Sequence, residues 1–341
     1  MDLVSTMFGR VNETPFISES NRASLPQKNR APQGRLVGMD LVRIVGVVAI
    51  VAGHVFGGTQ YWIYSWHVPL FFFLSGYLWR SQRNLRDEAS RRARALLVPY
   101  TAWLAIVSVT WAVILSTKSK PFSEPIRDLL LGGKYIASPY SAFWFVTSLF
   151  AAAVIMRATW NVHPLLPVVV GAGGLVWIAV SPQTITKVPL AIGLAIPGIF
   201  IMCVGLWFSR IHPRIRRPHL VGPVVLAFSF SLAVLQVGGK VNMKAGLIGY
   251  PISGVALACA ISAGLLLTST WLADHLPNAA ASKVVALAEC GLMVILTHSL
   301  VISTARFAGI SSRLVVFALA LTIPFALALL IRRTPFRFYL L

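Results

Sequence analysis

The stretch MDLVRIVGVVAIVAGH, Met39 to His54, sets an aspartate, an arginine and a histidine inside an otherwise apolar run. Extended to about residue 58, the run has the ~20 residues that cross the hydrocarbon core of a bilayer. An ionised side chain at mid-bilayer costs about 2.5–3.5 kcal/mol on insertion scales, so such residues are functional candidates by default. Arg43 and His54 stand eleven positions apart. At about 100° per residue that is only ~20° beyond three full turns, so both side chains share one helix face. At ~1.5 Å per residue they lie about 16 Å apart along the axis.

The next apolar run, residues 61–79, turns back through the same layer. That return sets His67 at a depth close to that of His54, with Ser75-Gly76-Tyr77 near the depth of Arg43. The two runs together predict a cationic inner mouth and a buried histidine pair, with Arg43 and His54 opening into one cavity.

The rest of the chain extends this pattern. Its 341 residues are 57% hydrophobic and 12% charged, with a mean hydropathy of +0.75. Soluble domains carry about a quarter charged residues, so a water-exposed fold is excluded. The net charge of +20 does not indicate nucleic acid, because the basic residues sit in short loops between apolar runs. Apolar runs fall at about 37–58, 61–79, 95–116, 143–160, 163–181, 188–209, 219–237, 247–272, 284–304 and 312–331. The reading is an all-α polytopic membrane protein of about ten transmembrane helices. Arg10, Arg22, Lys28, Arg30 and Arg35 precede the first run, and Arg80, Arg83, Arg86, Arg91, Arg92 and Arg94 follow the second. The first intervening loop holds no lysine or arginine. With Arg157 counted on the same side, positive-inside logic puts both termini in the cytoplasm.

Residues 1–35 read as a flexible cytoplasmic tail, 36–335 as the transmembrane domain and 336–341 as a short C-terminal tail. Pro125–Leu131, in the longest external loop, reads as a short interfacial helix. Cys203, Cys259 and Cys290 lie inside apolar runs without metal-ligand spacing, which predicts no metal site and small buried side chains.

Such an arrangement suits acyl transfer from a cytoplasmic thioester. Arginine grips phosphate through bidentate hydrogen bonds. Arg43, Arg91, Arg92 and Arg94 would hold the phosphorylated head of acyl-CoA, with Ser75 and Tyr77 at the same depth. The arm would then thread towards His54, whose imidazole takes the proton of an attacking hydroxyl. Asp40, His67, Trp144 and His298 are supporting candidates, and no tightly bound cofactor is expected. Plainer readings stand beside these. A membrane histidine also serves as a hydrogen bond between helices. The Arg80–Arg94 segment also reads as a topology loop at lipid head groups, and Arg43 as the partner of Asp40 at i−3. Phe71-Phe72-Phe73 reads as lipid-facing or packing surface.

The residues resemble a known family. Met39-Asp-Leu-Val-Arg43 through Gly53-His54 is similar to the first helix of the membrane-bound acyltransferase family 3, which carries an arginine, ten residues and a histidine there. Trp66-His67-Val68-Pro69 through Ser75-Gly76-Tyr77 looks like the second-helix signature of its fucose 4-O-acetylase-like branch. Arg91-Arg92-Ala93-Arg94 followed by Pro99-Tyr100 is similar to the family's Arg-x-x-Arg stretch. Phe143-Trp144-Phe145 resembles its Trp-Phe motif, and Thr297-His298 ends a segment like its late histidine helix. That helix departs from the pattern at Ala288, Gly291 and Ile295, where relatives offer glycine, serine and tyrosine. The resemblance implies O-acyl transfer, usually of acetyl from acetyl-CoA, to carbohydrates or glycolipids, with His54 catalytic and Arg43, Arg91 and Arg94 holding the donor. The competing function is a multi-pass transporter or exporter of a small sugar- or lipid-like molecule. Ten spans, intramembrane charges and the interrupted Ala195-Ile196-Pro197-Gly198 segment suit it.

Overall fold

The computed structural model describes residues 34–57, 61–120 and 125–341. The tail expected over 1–35 therefore lies almost wholly outside the described residues. In chain order the helices are α1 (Gly34–Phe56), α2 (Tyr61–Tyr64), α3 (His67–Tyr77), α4 (Leu85–Arg92), α5 (Val98–Ser116), α6 (Ile126–Leu131), α7 (Phe143–Val162), α8 (Leu166–Val180) and α9 (Pro182–Lys187). Then come α10 (Ile192–Ile211), α11 (Pro218–Val234), α12 (Pro251–Asp274), α13 (Asn278–Glu289), α14 (Gly291–Phe307), α15 (Arg313–Ile331) and α16 (Arg337–Leu340). A two-stranded hairpin, β1 (Val241–Asn242) against β2 (Leu247–Ile248), separates α11 from α12.

The helical class agrees with the sequence reading, and α6 is the expected short helix. The number of spans does not. Among the described residues six helices are long and apolar enough to cross a membrane, or seven if the α13–α14 pair counts as one. That corrects the expectation of about ten. The run at 61–79 breaks between Tyr64 and His67, leaving α3 with 11 residues. α8 has 15 residues and α11 has 17. At ~1.5 Å per residue even the longer of these falls short of the ~30 Å hydrocarbon layer. The run at 284–304 bends by 57° between α13 and α14. Hydropathy records how apolar a run is, not whether its helix continues. The basic-residue tally assumed ten crossings and does not carry over.

α1 sits inside the bundle, packed against α3, α12, α13, α14 and α15. Peripheral helices turn apolar surface outward, with Val109, Val113, Leu314 and Leu330 all well exposed. Such surface is what a bilayer covers. The short α3 is held by backbone contact. A Cβ on Gly76 would stand 1.8 Å from the Met202 carbonyl oxygen, and one on Gly205 would stand 2.0 Å from that of Phe73. Glycine is required at both places for α3 and α10 to touch. Phe72 and Phe73 are fully buried packing surface, whereas Phe71 is only partly buried. Arg157, counted from the sequence with the basic segments, is a side chain of the bundle interior. It lies 0% exposed in α7, donates to the carbonyls of Arg80 and Ser81, and stacks on Trp79. This clamp fixes the segment that leads into α4.

Candidate active site

His54, near the end of α1, meets His298 of α14. The His298 Nδ1 lies 3.0 Å from the Val294 carbonyl oxygen, and its Nε2 lies 2.9 Å from His54 Nδ1. A carbonyl only accepts, so His298 carries its proton on Nδ1 and its neutral ring presents Nε2 as an acceptor. His54 Nδ1–H is then the donor, and His54 Nε2 is left with a bare lone pair. Ser141 Oγ stands 3.4 Å from the same His54 Nδ1 and 2.6 Å from Ser299 Oγ. His67 donates from Nδ1 to the Ile63 carbonyl at 2.8 Å, which leaves its Nε2 open as well. His67 and His298 are buried at 3% and 0% exposure.

His54 and His67 line a cavity of about 120 Å³ together with Tyr64, Ser141, Trp144, Asn242 and Lys244. Part of its polar wall comes from loops. The turn between β1 and β2 brings in Lys244, whose Nζ donates to the carbonyls of Ile136 at 2.8 Å and Ser141 at 3.3 Å. Asn242 accepts from the Ala245 N–H and closes that turn. Burial pushes the Lys244 amine down to about 8.

Arg43 does not share this cavity. It lines a second one of about 460 Å³ with Ser75, Arg91, Arg92, Phe71 and Glu289. The two cavities stand back to back, with Phe145 and Ile295 in the wall of both. The expectation of one cavity for Arg43 and His54 is corrected in that sense. Both residues lie on α1 and both face internal space, but two side chains separate the spaces. The Phe145 ring is held edge-on by Phe71, with centroids 5.3 Å apart.

The Arg43 cavity, the outer and more open of the two, is suited to an anion. Arg43 bonds Asp40 Oδ1 at 2.8 Å and remains 41% exposed. Glu88 of α4 is buried at 1% and bonds Arg83 at 3.1 Å and Arg92 at 2.8 Å. Arg92 is thus occupied by Glu88, whereas Arg91 makes no ion pair among the described residues. Ser75 Oγ is buried and has no partner among them. A one-turn π segment, Ala93–Leu97, joins α4 to α5 and carries Arg94. Arg94 lies outside the cavity, in a shallow surface hollow with Arg86 and Arg91. Tyr77 is not brought to either cavity; its hydroxyl bonds His212 Nδ1 at 2.7 Å. Of the residues singled out from sequence, His54, His67 and Trp144 meet in the inner cavity and Arg43, Ser75 and Arg91 in the outer one. His298 stands behind His54, and Asp40 behind Arg43.

Sequence reasoning passed over Lys244, Ser141, Tyr64 and Glu88. The first two sit in loops, and a search for ionisable groups within apolar runs does not reach them. Glu88 lies in a charged stretch that reads as solvated. Among the described residues no cluster of histidine, cysteine and carboxylate is arranged to hold a metal ion.

The family described as "Acyltransferase domain" matches residues 36–333. Nodulation protein NolL of Mesorhizobium japonicum is 24% identical over 189 residues, covering 50% of this chain and 48% of that protein. The chain thus spans about half the length of this curated relative. No solved structure matches. The family match takes in α1 to α15, nearly the whole of the described helical bundle, so this chain belongs to acyltransferase family 3.

Proposed function

We propose that this protein transfers an acetyl group from acetyl-CoA to a hydroxyl of a carbohydrate or glycosylated acceptor, with His54 as general base. The observation that carries the reading is the His54–His298 pair, because it leaves His54 Nε2 unprotonated beside a cavity lined in part by polar side chains. The acceptor hydroxyl attacks the thioester carbon while its proton passes to His54 Nε2. The imidazolium so formed is held by its Nδ1–H bond to His298. The C–S bond then breaks, and the leaving thiolate takes the proton from His54.

The phosphorylated head of the donor fits the outer cavity, where Arg43 and Arg91 supply guanidinium groups and Ser75 an unused hydroxyl. The family implies an acyl-CoA-type donor, and the six arginines of the 80–94 segment support a cytoplasmic position for this face. Acetyl specificity, and an acceptor of the kind used by the fucose 4-O-acetylase-like branch, rest on the second-helix signature of residues 66–77. The inner cavity, whose polar lining includes the hydroxyls of Tyr64 and Ser141 and the Asn242 amide, suits a sugar hydroxyl. For the thioester to reach His54, the Phe145 and Ile295 side chains must part. Donor and acceptor then approach from opposite ends of α1.

The test is transfer of radiolabel from acetyl-CoA to glycans or glycolipids by membranes containing the protein. Label is expected to move with wild type and not with His54→Ala. Transfer that survives His54→Ala removes His54 from the mechanism. Movement of a sugar across the membrane without transfer turns the reading towards a transporter.

A further inference from the structure

Lys244 has no place in the chemistry above. Its ammonium carries three N–H donors, and two are used by the carbonyls of Ile136 and Ser141. The third has no partner among the described residues, and no carboxylate of those residues stands within ion-pair distance of it. A partly buried cation without a counter-charge is unfavourable unless a ligand supplies one. The surroundings are otherwise donor-rich or neutral: His54, His67, Tyr64 and Asn242 line the same cavity. Lys134 and Tyr135 lie in the turn that packs on the hairpin. Among the described residues no acidic side chain lines the cavity.

We infer that the inner cavity is a subsite for an acceptor bearing an anionic group, a carboxylate or a phosphate, with Lys244 as its counter-ion. The inference rests on the acyl-transfer reading for the word acceptor, but the binding itself does not require transfer. Because Lys244 and His54 line one small cavity, the anionic group lies within about a sugar ring of the hydroxyl to be acylated. The two carbonyl bonds hold the ammonium in place, so its third N–H is positioned before the ligand arrives.

The full chain, purified and reconstituted in lipid nanodiscs, tests this through thermal stability in the presence of three probes. These are methyl β-D-glucopyranoside, methyl β-D-glucuronide and methyl β-D-glucoside 6-phosphate. A ligand held by the folded state raises the midpoint by mass action. One or both anionic glycosides are expected to raise it by roughly 2 °C or more at saturation, and the neutral one by less. The larger shift identifies the anion as carboxylate or phosphate. Lys244→Gln is expected to abolish the difference and Lys244→Arg to retain it. His54→Ala is expected to keep the shift while losing acetyl transfer, so the two claims fail separately. An equal shift from the neutral glycoside, no shift from any probe, or loss of the anion preference in Lys244→Arg overturns the inference. Should Lys244→Gln lack a cooperative transition, the wild-type and Lys244→Arg comparisons still decide it.

Discussion

Replacing His298 by leucine removes the acceptor of the His54 Nδ1–H bond while keeping an apolar side chain of similar reach. In wild type that bond is 2.9 Å long and lies in a buried setting. It contributes most when His54 has taken the proton and become an imidazolium. A hydrogen bond to a charged group contributes about 1.5–3 kcal/mol. At ~1.4 kcal/mol per factor of ten, its loss from the transition state slows kcat by about 10- to 150-fold. Ser141 Oγ, 3.4 Å from the same nitrogen, is a poor substitute and moves the outcome towards the lower figure. His298 lines neither cavity, so the KM for acetyl-CoA should hold. His298→Gln keeps an acceptor oxygen and should recover part of the rate. The assay is steady-state acetyl transfer in nanodiscs, after the variant is shown to be folded and inserted. A kcat within about twofold of wild type for His298→Leu would refute the tautomer argument. So would equal losses for leucine and glutamine, because that pattern follows from packing alone.

Further expectations follow from the same geometry. Arg91→Gln should raise the KM for acetyl-CoA by about tenfold or more through loss of a charge-assisted bond. Arg94→Gln should change it far less, because Arg94 lies in the surface hollow; equal effects in the two variants would return both residues to topology. Glu88→Ala leaves Arg83 and Arg92 without their buried partner and should lower the thermal midpoint measurably, at a cost of about 3 kcal/mol; an unchanged midpoint would make Glu88 a bystander. Affinity for the anionic glycoside should fall as pH rises through about 8, because Lys244 is an ammonium below that value and a neutral amine above it. A pH-independent affinity would assign the anion to another cation. Gly76→Ala brings a Cβ against the Met202 carbonyl and should destabilise the α3–α10 contact, read as a lowered midpoint.

Much of this site is legible in the chain because membranes make ionised side chains expensive. Arg43 and His54 stand out in an apolar run, and helical periodicity puts them on one face before any fold is known. His298 stands out for the same reason, although the spacing does not reveal that its ring meets His54. What stays hidden is set by tertiary closure. Phe145 and Ile295 read as ordinary apolar residues, and only packing turns them into the wall between two cavities. Lys244 lies in a polar loop where a lysine carries no signal. Tyr77 belongs to a motif at the right depth, yet its hydroxyl is committed to His212. The span count failed on continuity: α3, α8 and α11 are apolar but too short, and the break at Cys290 sits where hydropathy stays high.

The most direct measurement is the position of a non-transferable acetyl-CoA analogue, with a ketone in place of the thioester, in an experimental structure of the nanodisc-embedded protein. Its phosphates are expected at Arg43 and Arg91, with Phe145 and Ile295 swung aside and its carbonyl carbon within about 4 Å of the place an acceptor oxygen takes when hydrogen-bonded to His54 Nε2. An analogue held with its acetyl end in the outer cavity, behind an unmoved Phe145, would contradict the mechanism.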